Sequence, residues 1–184
     1  YEVDFVKGNM RGTGKYTLAG GGIYIGEWFN TKRHGKGEWT DKEGNTYKGE
    51  YKNDVMEGKG VFYFFWLDNK YEGDFKNNLP DGKGTYTYKD GRKYIGAFVK
   101  GEYDGKGKLI ETNGDVTEGE WKNNKMNGRG TCIFKDGRKF EGVFKDNNTV
   151  NGTLTYADGK KITGDFNNFE PVSGKASITY KDGR

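Results

Sequence analysis

Residues 24–46 read YIGEWFNTKRHGKGEWTDKEGNT and residues 47–70 read YKGEYKNDVMEGKGVFYFFWLDNK. Laid one over the other, Tyr24, Gly26 and Trp28 fall on Tyr47, Gly49 and Tyr51, while Gly35, Gly37 and Trp39 fall on Gly58, Gly60 and Phe62. The same opening returns at Tyr71-Gly73-Phe75 and Tyr94-Gly96-Phe98. Looser copies follow at Thr117-Gly119-Trp121, Phe140-Gly142-Phe144 and Ile162-Gly164-Phe166, and Tyr1-Val3-Phe5 begins the series. Self-similarity at one fixed period marks a repeat architecture. The units are residues 1–23, 24–46, 47–70, 71–93, 94–116, 117–139, 140–161 and 162–184, a single array that fills the chain. The first residue is Tyr1 rather than Met and both ends fall at unit boundaries, so the array reads as a fragment of a longer protein.

Spacing within a unit dictates its local structure. Tyr24, Gly26 and Trp28 stand two apart and so share one face of a strand; Gly35, Gly37 and Trp39 do the same in a second strand. The glycines interrupt any helical run. Turns such as Lys89-Asp90-Gly91-Arg92, with Asp-Gly again at Asp136-Gly137, Asp158-Gly159 and Asp182-Gly183, supply the positive φ that hairpin connections need. Each unit is therefore a hairpin with aromatic rings and glycines on one face. Ile25, Glu27, Lys48, Glu50, Glu72 and Asp74 lie on the other, wet face. A lone hairpin is marginal in water, so the units must stack edge to edge. The expected fold is all-β, an elongated single-layered antiparallel sheet of stacked hairpins. At about 4.8 Å per strand, eight units would run on the order of 77 Å.

Composition limits the function. Hydrophobic and charged residues each make 32% of the 184 residues and Gly occurs 32 times, too lean for a conventional layered core. Aromatics, at 16%, must supply it. A formal charge of +4 spread along the chain is no nucleic-acid tail. The single Cys132 forms no internal disulfide, and the longest apolar run, Val61 to Leu67, is far short of the roughly 20 residues of a membrane helix. A cytoplasmic setting, at most peripheral to a membrane or the cytoskeleton, is the simplest reading.

The pattern Y-x-G-x-[WFY] followed by G-x-G-x-[YWF] resembles the MORN repeat (membrane occupation and recognition nexus) over the whole chain, and repeats two to six are closest to it. The resemblance implies a single-layered antiparallel sheet that twists into a groove. It also implies attachment, since such arrays occur in junction-forming membrane proteins, lipid kinases, ciliary spoke proteins, a lysine methyltransferase and protist cytoskeletal scaffolds. The chain departs from the pattern at Val3, at Thr117, and in repeats seven and eight. Those two read as one residue shorter before Gly152 and Gly174 and as lacking the first Gly of G-x-G.

Catalytic chemistry finds no foothold. His34 sits in the variable stretch Asn30 to His34, Cys132 occupies the slot of Trp39 and Tyr86, and one His with one Cys makes no zinc site. No G-x-G is followed by a helix, so no phosphate loop is expected. The chain reads as no enzyme, with no cofactor and no metal. A protein-interaction scaffold is the leading expectation, with Tyr24, Trp28, Trp39, Tyr47, Tyr51, Tyr71 and Phe75 offered to a partner's helix or strand. Phe65, Trp66 and Leu67, apolar where other repeats have Lys, Asp and Gly, are either an interaction patch or packing against a loop. A basic stripe of Arg92, Lys93, Arg138, Lys139, Lys160 and Lys161 suggests acidic phospholipid as the alternative partner, against a solvated strand-end role. A regulatory segment of a larger enzyme stays open. The irregular last repeats suggest a homodimer through the C-terminal end.

Overall fold

The computed structural model describes residues 4–6 and 9–182; Tyr1, Val3 and Gly183 of the repeat pattern lie outside them, as does the side chain of Phe5. The described residues form two compact units. The first runs to Lys89 and takes in Phe98–Gly101, and the second holds Asp90–Ala97 and the chain from Glu102 onward. The first contains β1 (Asp4–Val6), β2 (Asn9–Thr17), β3 (Ile23–Phe29), β4 (Lys32–Thr40), β5 (Thr46–Lys52), β6 (Val55–Phe64), β7 (Asn69–Lys76) and β8 (Leu79–Thr87). The division passes through β9 (Lys93–Val99). The second unit continues with β10 (Glu102–Ile110), β11 (Val116–Lys122), β12 (Lys125–Ile133), β13 (Lys139–Lys145), β14 (Asn148–Thr155), β15 (Lys161–Asn167) and β16 (Glu170–Thr179). In each unit the strands pair antiparallel with their chain neighbours. The fold is all-β, as the two-residue parity requires.

Parity also places the core. Along β3 burial alternates strictly: Tyr24, Gly26 and Trp28 are buried while Ile25 and Glu27 are exposed. The glycines face one another across the sheet, Gly26 opposite Gly37, Gly37 opposite Gly49, and Gly49 opposite Gly60. Over the intra-repeat glycine pair of repeats two to five lies the tyrosine ring that opens the repeat. A Cβ on Gly60 would stand 2.5 Å from the Tyr47 ring and hydroxyl, so only a residue without a side chain leaves room. The hydroxyl of the flat ring then donates to the carbonyl three residues on: Tyr24 to Glu27 at 3.0 Å, Tyr47 to Glu50 at 2.9 Å, Tyr71 to Asp74 at 2.8 Å, and Tyr94 to Ala97 at 3.1 Å.

The rings also join one hairpin to the next. Tyr24 meets Trp28 of its own strand at 5.1 Å and Tyr51 of the following repeat at 5.2 Å; Tyr47 meets Tyr51 and Phe75 in the same way, at 5.1 and 4.9 Å. All four contacts are T-shaped, a geometry worth about 0.5–1.5 kcal/mol per pair beyond area burial. Repeat six has Thr117 in the ring position. There Met126 fills the space instead, its Cε lying over Gly119 and Gly130. Phe140 covers Gly142 and Gly152 in repeat seven.

Three local expectations are corrected. The tight two-residue turns are not at Asp-Gly but inside the repeats, at pairs such as Asn53-Asp54 (φ 53° and 72°) and Asn77-Asn78 (51° and 67°), where both residues are left-handed. Asn and Asp tolerate that region best after Gly. The Asp-Gly segments form wider connections between repeats, in which Gly91, Gly137 and Gly159 do take positive φ. As a result Lys32–His34 belong to β4 and His34 is half-buried rather than in a solvated loop. Third, repeat eight is not short of a first glycine. Gly164 pairs with Ala176, so Gly174 keeps the bulge position and its positive φ of 73°, and it is the second glycine that is replaced.

The turns lock adjacent hairpins. Where the bulge ends the strand ladder, the second turn residue exchanges two bonds with the preceding repeat. Asn78 N–H donates to the Met56 carbonyl at 3.1 Å while its Oδ1 accepts Met56 N–H at 2.8 Å. Asp54 with Arg33, Asn124 with Tyr103, and Asn147 with Met126 repeat the clamp.

The Tyr47 ring is fully buried and hemmed in by Tyr51 and Phe75, so Gly60→Ala must displace it. A loss of about 1–3 kcal/mol, the usual range for overpacking, is expected in denaturant titration. Gly20→Ala, with nothing within 4 Å of the added carbon, should change stability by less than about 0.5 kcal/mol. Equal melts for the two would show that the ring does not rest on the glycines.

Candidate protein-binding surface

The buried row uses up most of the rings that the sequence offered to a partner. Tyr24, Trp28, Tyr47, Tyr51, Tyr71 and Phe75 are all under 7% exposed, covered by residues of their own chain. Burial pushes the hydroxyls of Tyr47, Tyr51 and Tyr71 above their ordinary value, and that of Tyr24 up to about 12. These six side chains form the foundation of the surface rather than the surface itself. Of the ten aromatic and apolar candidates, Trp39, Phe65, Trp66 and Leu67 reach solvent.

What lies beside the buried row in the first unit is a line of half-buried rings from the second strand of each hairpin. Trp39 in β4 meets Phe62 in β6 at 6.3 Å, and Phe62 meets Phe64 at 4.5 Å. Phe64 meets Tyr86 in β8 at 5.9 Å, and Tyr86 meets Tyr88 at 4.9 Å. Phe64 falls on the core parity that its spacing from Phe62 predicts, but neither it nor Tyr88 was expected among the binding residues. Their signal was present, since each stands two residues beyond the aromatic of G-x-G-x-[YWF] and so on the same face. In the second unit Leu109, Cys132 and Leu154 take the slots of Trp39, Phe62 and Tyr86. Cys132 is buried, and burial raises its thiol above the ordinary value.

Repeat three adds an apolar tip. Phe65 leans over Gly44 of the preceding turn and meets Trp66 edge-on at 5.6 Å, yet Phe65, Trp66 and Leu67 remain 49%, 76% and 57% exposed. Tyr63 does not join them in water as an isolated ring; its hydroxyl hydrogen-bonds Asp68 at 2.6 Å. The turn therefore packs Phe65 in part and leaves Trp66 outside.

Two open grooves lie on the opposite, charged face. One in the first unit, about 540 Å³, is walled by Lys36, Glu38, Lys48 and Glu50; one in the second, about 940 Å³, by Lys106, Lys108, Glu118, Glu120 and Arg129. On the aromatic side of the first unit a smaller hollow of about 260 Å³ is walled by Arg33, Trp39, Tyr51, Asp54, Met56 and Asn78.

The basic stripe is largely engaged with its own chain. Arg92 binds Asp90 at 2.8 Å, Arg138 binds Asp136 at 2.7 Å, Lys139 binds Glu141 at 2.8 Å, and Lys160 lies over the Tyr156 ring at 4.0 Å. The Arg92 and Arg138 backbone amides and guanidinium groups hold Asp90 and Asp136 below the usual carboxylate value. Lys93 and Lys161 are exposed. Among the described residues, no cluster of three or more His, Cys, Asp or Glu side chains is placed to hold a metal ion, and no helix is long and apolar enough to cross a membrane.

A family model described as the MORN repeat matches seven times, at residues 1–23, 24–46, 47–66, 71–91, 94–116, 118–137 and 140–161. The unmatched stretch 67–70 follows Trp66, and residues 162–184, which hold β16 and all of β15 beyond Lys161, carry no match. No curated protein matches the chain. Among solved structures, the TCP domain of Drosophila melanogaster SAS-4 (dCPAP), in complex with a proline-rich motif of Ana2 (dSTIL), is similar at 14% identity and a TM-score of 0.54. The match covers 94% of this chain and 86% of that one. The G-box domain of the microcephaly protein CPAP follows at 13% identity, covering 94% and 96%, with a TM-score of 0.35. The wild-type TCP10 domain of Danio rerio CPAP shows 14% identity, covering 93% and 96%, with a TM-score of 0.30. At such identity the likeness to the Drosophila domain is one of fold.

Because burial raises the hydroxyl pKa of Tyr24 and Tyr94 to about 12, against 10.0 for a free tyrosine, ionisation favours the unfolded chain. Their contribution to stability is complete below about pH 10 and is lost as pH rises through about 12. Phenolate absorbance followed beside circular dichroism should show the buried tyrosines ionising late, together with the loss of the sheet. Ionisation of all 13 tyrosines near pH 10 with the sheet intact would contradict this burial.

Proposed function

The chain belongs to the MORN-repeat family, and on that premise we propose that it is a non-catalytic scaffold that holds a partner protein against the aromatic side of its first unit. The observation that carries the reading is the tip at Phe65, Trp66 and Leu67. Three large apolar side chains stand in water at a turn where other repeats place Lys, Asp and Gly, and Trp is a favoured anchor in interfaces. The line of rings from Trp39 to Tyr88 lies in the same unit. The Drosophila domain of like fold is described with a proline-rich motif bound, which supports reading such a sheet as a surface for a protein segment.

A phospholipid surface is the weaker reading, because Arg92, Arg138 and Lys139 already have acidic partners. Attraction of the remaining basic side chains to anionic vesicles would be superficial and screened.

Trp66→Ala separates these readings. Thermal melts should be nearly unchanged, since the side chain is 76% exposed, while partner recovery in pull-downs should fall by an amount equal to about 2 kcal/mol or more of binding. A destabilised variant that still recovers its partners would end the interface assignment. In flotation assays, binding to anionic vesicles should vanish in 1 M salt, where the Debye length is about 3 Å; retention there would favour a membrane module.

A further inference from the structure

The charged face of the second unit carries a site of its own, separate from the aromatic side of the first. We propose that the bulge at Gly105-Lys106 is a docking point for a carboxylate on an acidic segment of a partner protein, seated in the groove walled by Lys106, Lys108 and Arg129.

The chain itself shows what such a bulge takes. In repeats two, three, four and six a glycine of positive φ (Gly35, Gly58, Gly82 and Gly128) precedes a residue whose amide is turned to the charged face. A carboxylate of the facing strand accepts that N–H: Glu27 from Lys36 at 2.7 Å, Glu50 from Lys59 at 3.1 Å, Asp74 from Lys83 at 2.9 Å, and Glu120 from Arg129 at 3.1 Å. The carboxyl group lies over the glycine as well. A Cβ on Gly35 would stand 2.5 Å from Glu27 Oε2, and one on Gly82 2.9 Å from Asp74 Oδ2. Backbone amides gathered at a left-handed residue make a small concavity for anions. Repeat five keeps the bulge and lacks the acid. Gly105 has a φ of 107°, Lys106 follows it, and the facing residue is Ala97, its Cβ 3.0 Å from a carbon added to Gly105. The Lys106 N–H meets no side-chain acceptor among the described residues. Repeat eight keeps an acid, Asp165, which Asn151 engages at 3.0 Å.

Charge in the groove selects the same ligand. Its walls bring three cations, Lys106, Lys108 and Arg129, against two carboxylates, Glu118 and Glu120. Both carboxylates are engaged, Glu118 by Lys108 at 2.9 Å and Glu120 by the Arg129 amide. The Lys106 ammonium and the Arg129 guanidinium form no ion pair among the described residues. Lys59, which holds the place of Arg129 in repeat three, pairs with Asp74 across the strands, whereas Arg129 faces Val143. Alkyl side chains at Ala97 and Val143 thus leave one amide and two cations on an open face with no anion of their own. An N–H bond to an ionised acceptor is about twice as strong as one to a neutral acceptor, which favours a carboxylate over an amide. A free carboxylate in so open a groove gains too little to offset its lost freedom, so the acid must arrive on a segment that the walls also hold. Ile95 and Val143, 44% and 41% exposed, line the same groove and offer that segment apolar contact.

Backbone amide resonances read the site residue by residue in a titration with a ten-residue polyglutamate peptide. The Lys106 amide should move in a saturable manner, while those of Lys36, Lys59, Lys83 and Arg129, which already donate to carboxylates, stay in place. Ala97→Glu restores the acid that other repeats carry. It should weaken the peptide about tenfold or more, the worth of a hydrogen bond to a charged group, without lowering the melt. Ala157→Glu adds the same charge at an exposed turn of the second unit and should bind as the parent does. Equal affinity in the parent and Ala97→Glu, or equal losses in the two variants, would show that the peptide answers only to overall charge and would overturn the site. Acetate as effective as the peptide, carboxylate for carboxylate, would mean an adventitious ion only. Inorganic phosphate acting at lower concentration than the peptide would put phosphate in place of the acid; either result overturns the assignment to a partner segment. None of these outcomes bears on Trp66, so the first-unit interface stands or falls separately.

Discussion

A tyrosine ring laid flat across two facing glycines is the contact on which each unit of this chain depends. The ring can lie there only because neither glycine has a Cβ, and the glycines are tolerable in strands only because the ring covers the backbone they expose. Neither half of the pair is useful alone. A sheet with no second layer has nothing else to bury its apolar face against, so the rings must bury one another, and each needs the next hairpin to do it. Tyr24, fully buried, is packed between Trp28 of its own strand and Tyr51, which belongs to the following repeat. The period, the glycine count and the low aliphatic content all follow from this one requirement.

The exceptions show that the requirement is steric rather than specific to tyrosine. Where Thr117 leaves the glycine pair bare, Met126 reaches back across it from the partner strand, an unbranched side chain well suited to an irregular gap. Cys132 then takes the space beside Thr117, its Sγ 3.5 Å from the threonine hydroxyl. In repeat eight no such cover is needed in the same form, because Ala176 stands in place of the second glycine and Ile162 in place of the ring. The fold thus accepts more than one cover for the pair, and ring and thioether each provide it with a different partner set.

Strand number, strand direction and the identity of the two faces were legible in the sequence because a spacing of two admits one arrangement only. The turn assignments were less legible. Asp-Gly and Asn-Asp both favour left-handed backbone, and spacing alone does not say which closes a two-residue hairpin; the bulge at Gly58, which places residues 57–59 opposite Glu50, moved the pairing of β5 and β6 outward to Asn53-Asp54. The displaced glycine of repeat eight was hidden for the same reason, since only the partner strand reveals which of two positions is paired. The surface was least legible. The sequence marks Tyr24 and Trp39 as equally aromatic, yet Tyr24 is surrounded by Trp28 and Tyr51 while Trp39 has Phe62 on one flank. Who covers whom is a property of neighbours in the sheet, and composition carries no trace of it.

This difference between the two aromatic rows separates stability from recognition within a single repeat. A ring in the first strand commits nearly all its apolar area to the chain itself, so it contributes to folding and has little left for a ligand. A ring in the second strand is flanked by polar turns on one side and keeps part of its face in water. Exchanging it alters the surface while leaving the glycine pair and its cover in place. The two units show the outcome: the slots of Trp39, Phe62 and Tyr86 in the first are Leu109, Cys132 and Leu154 in the second, with the same strand pairing beneath. Specificity in such an array is therefore free to vary at the second-strand position, repeat by repeat, because the load of folding is borne one strand away.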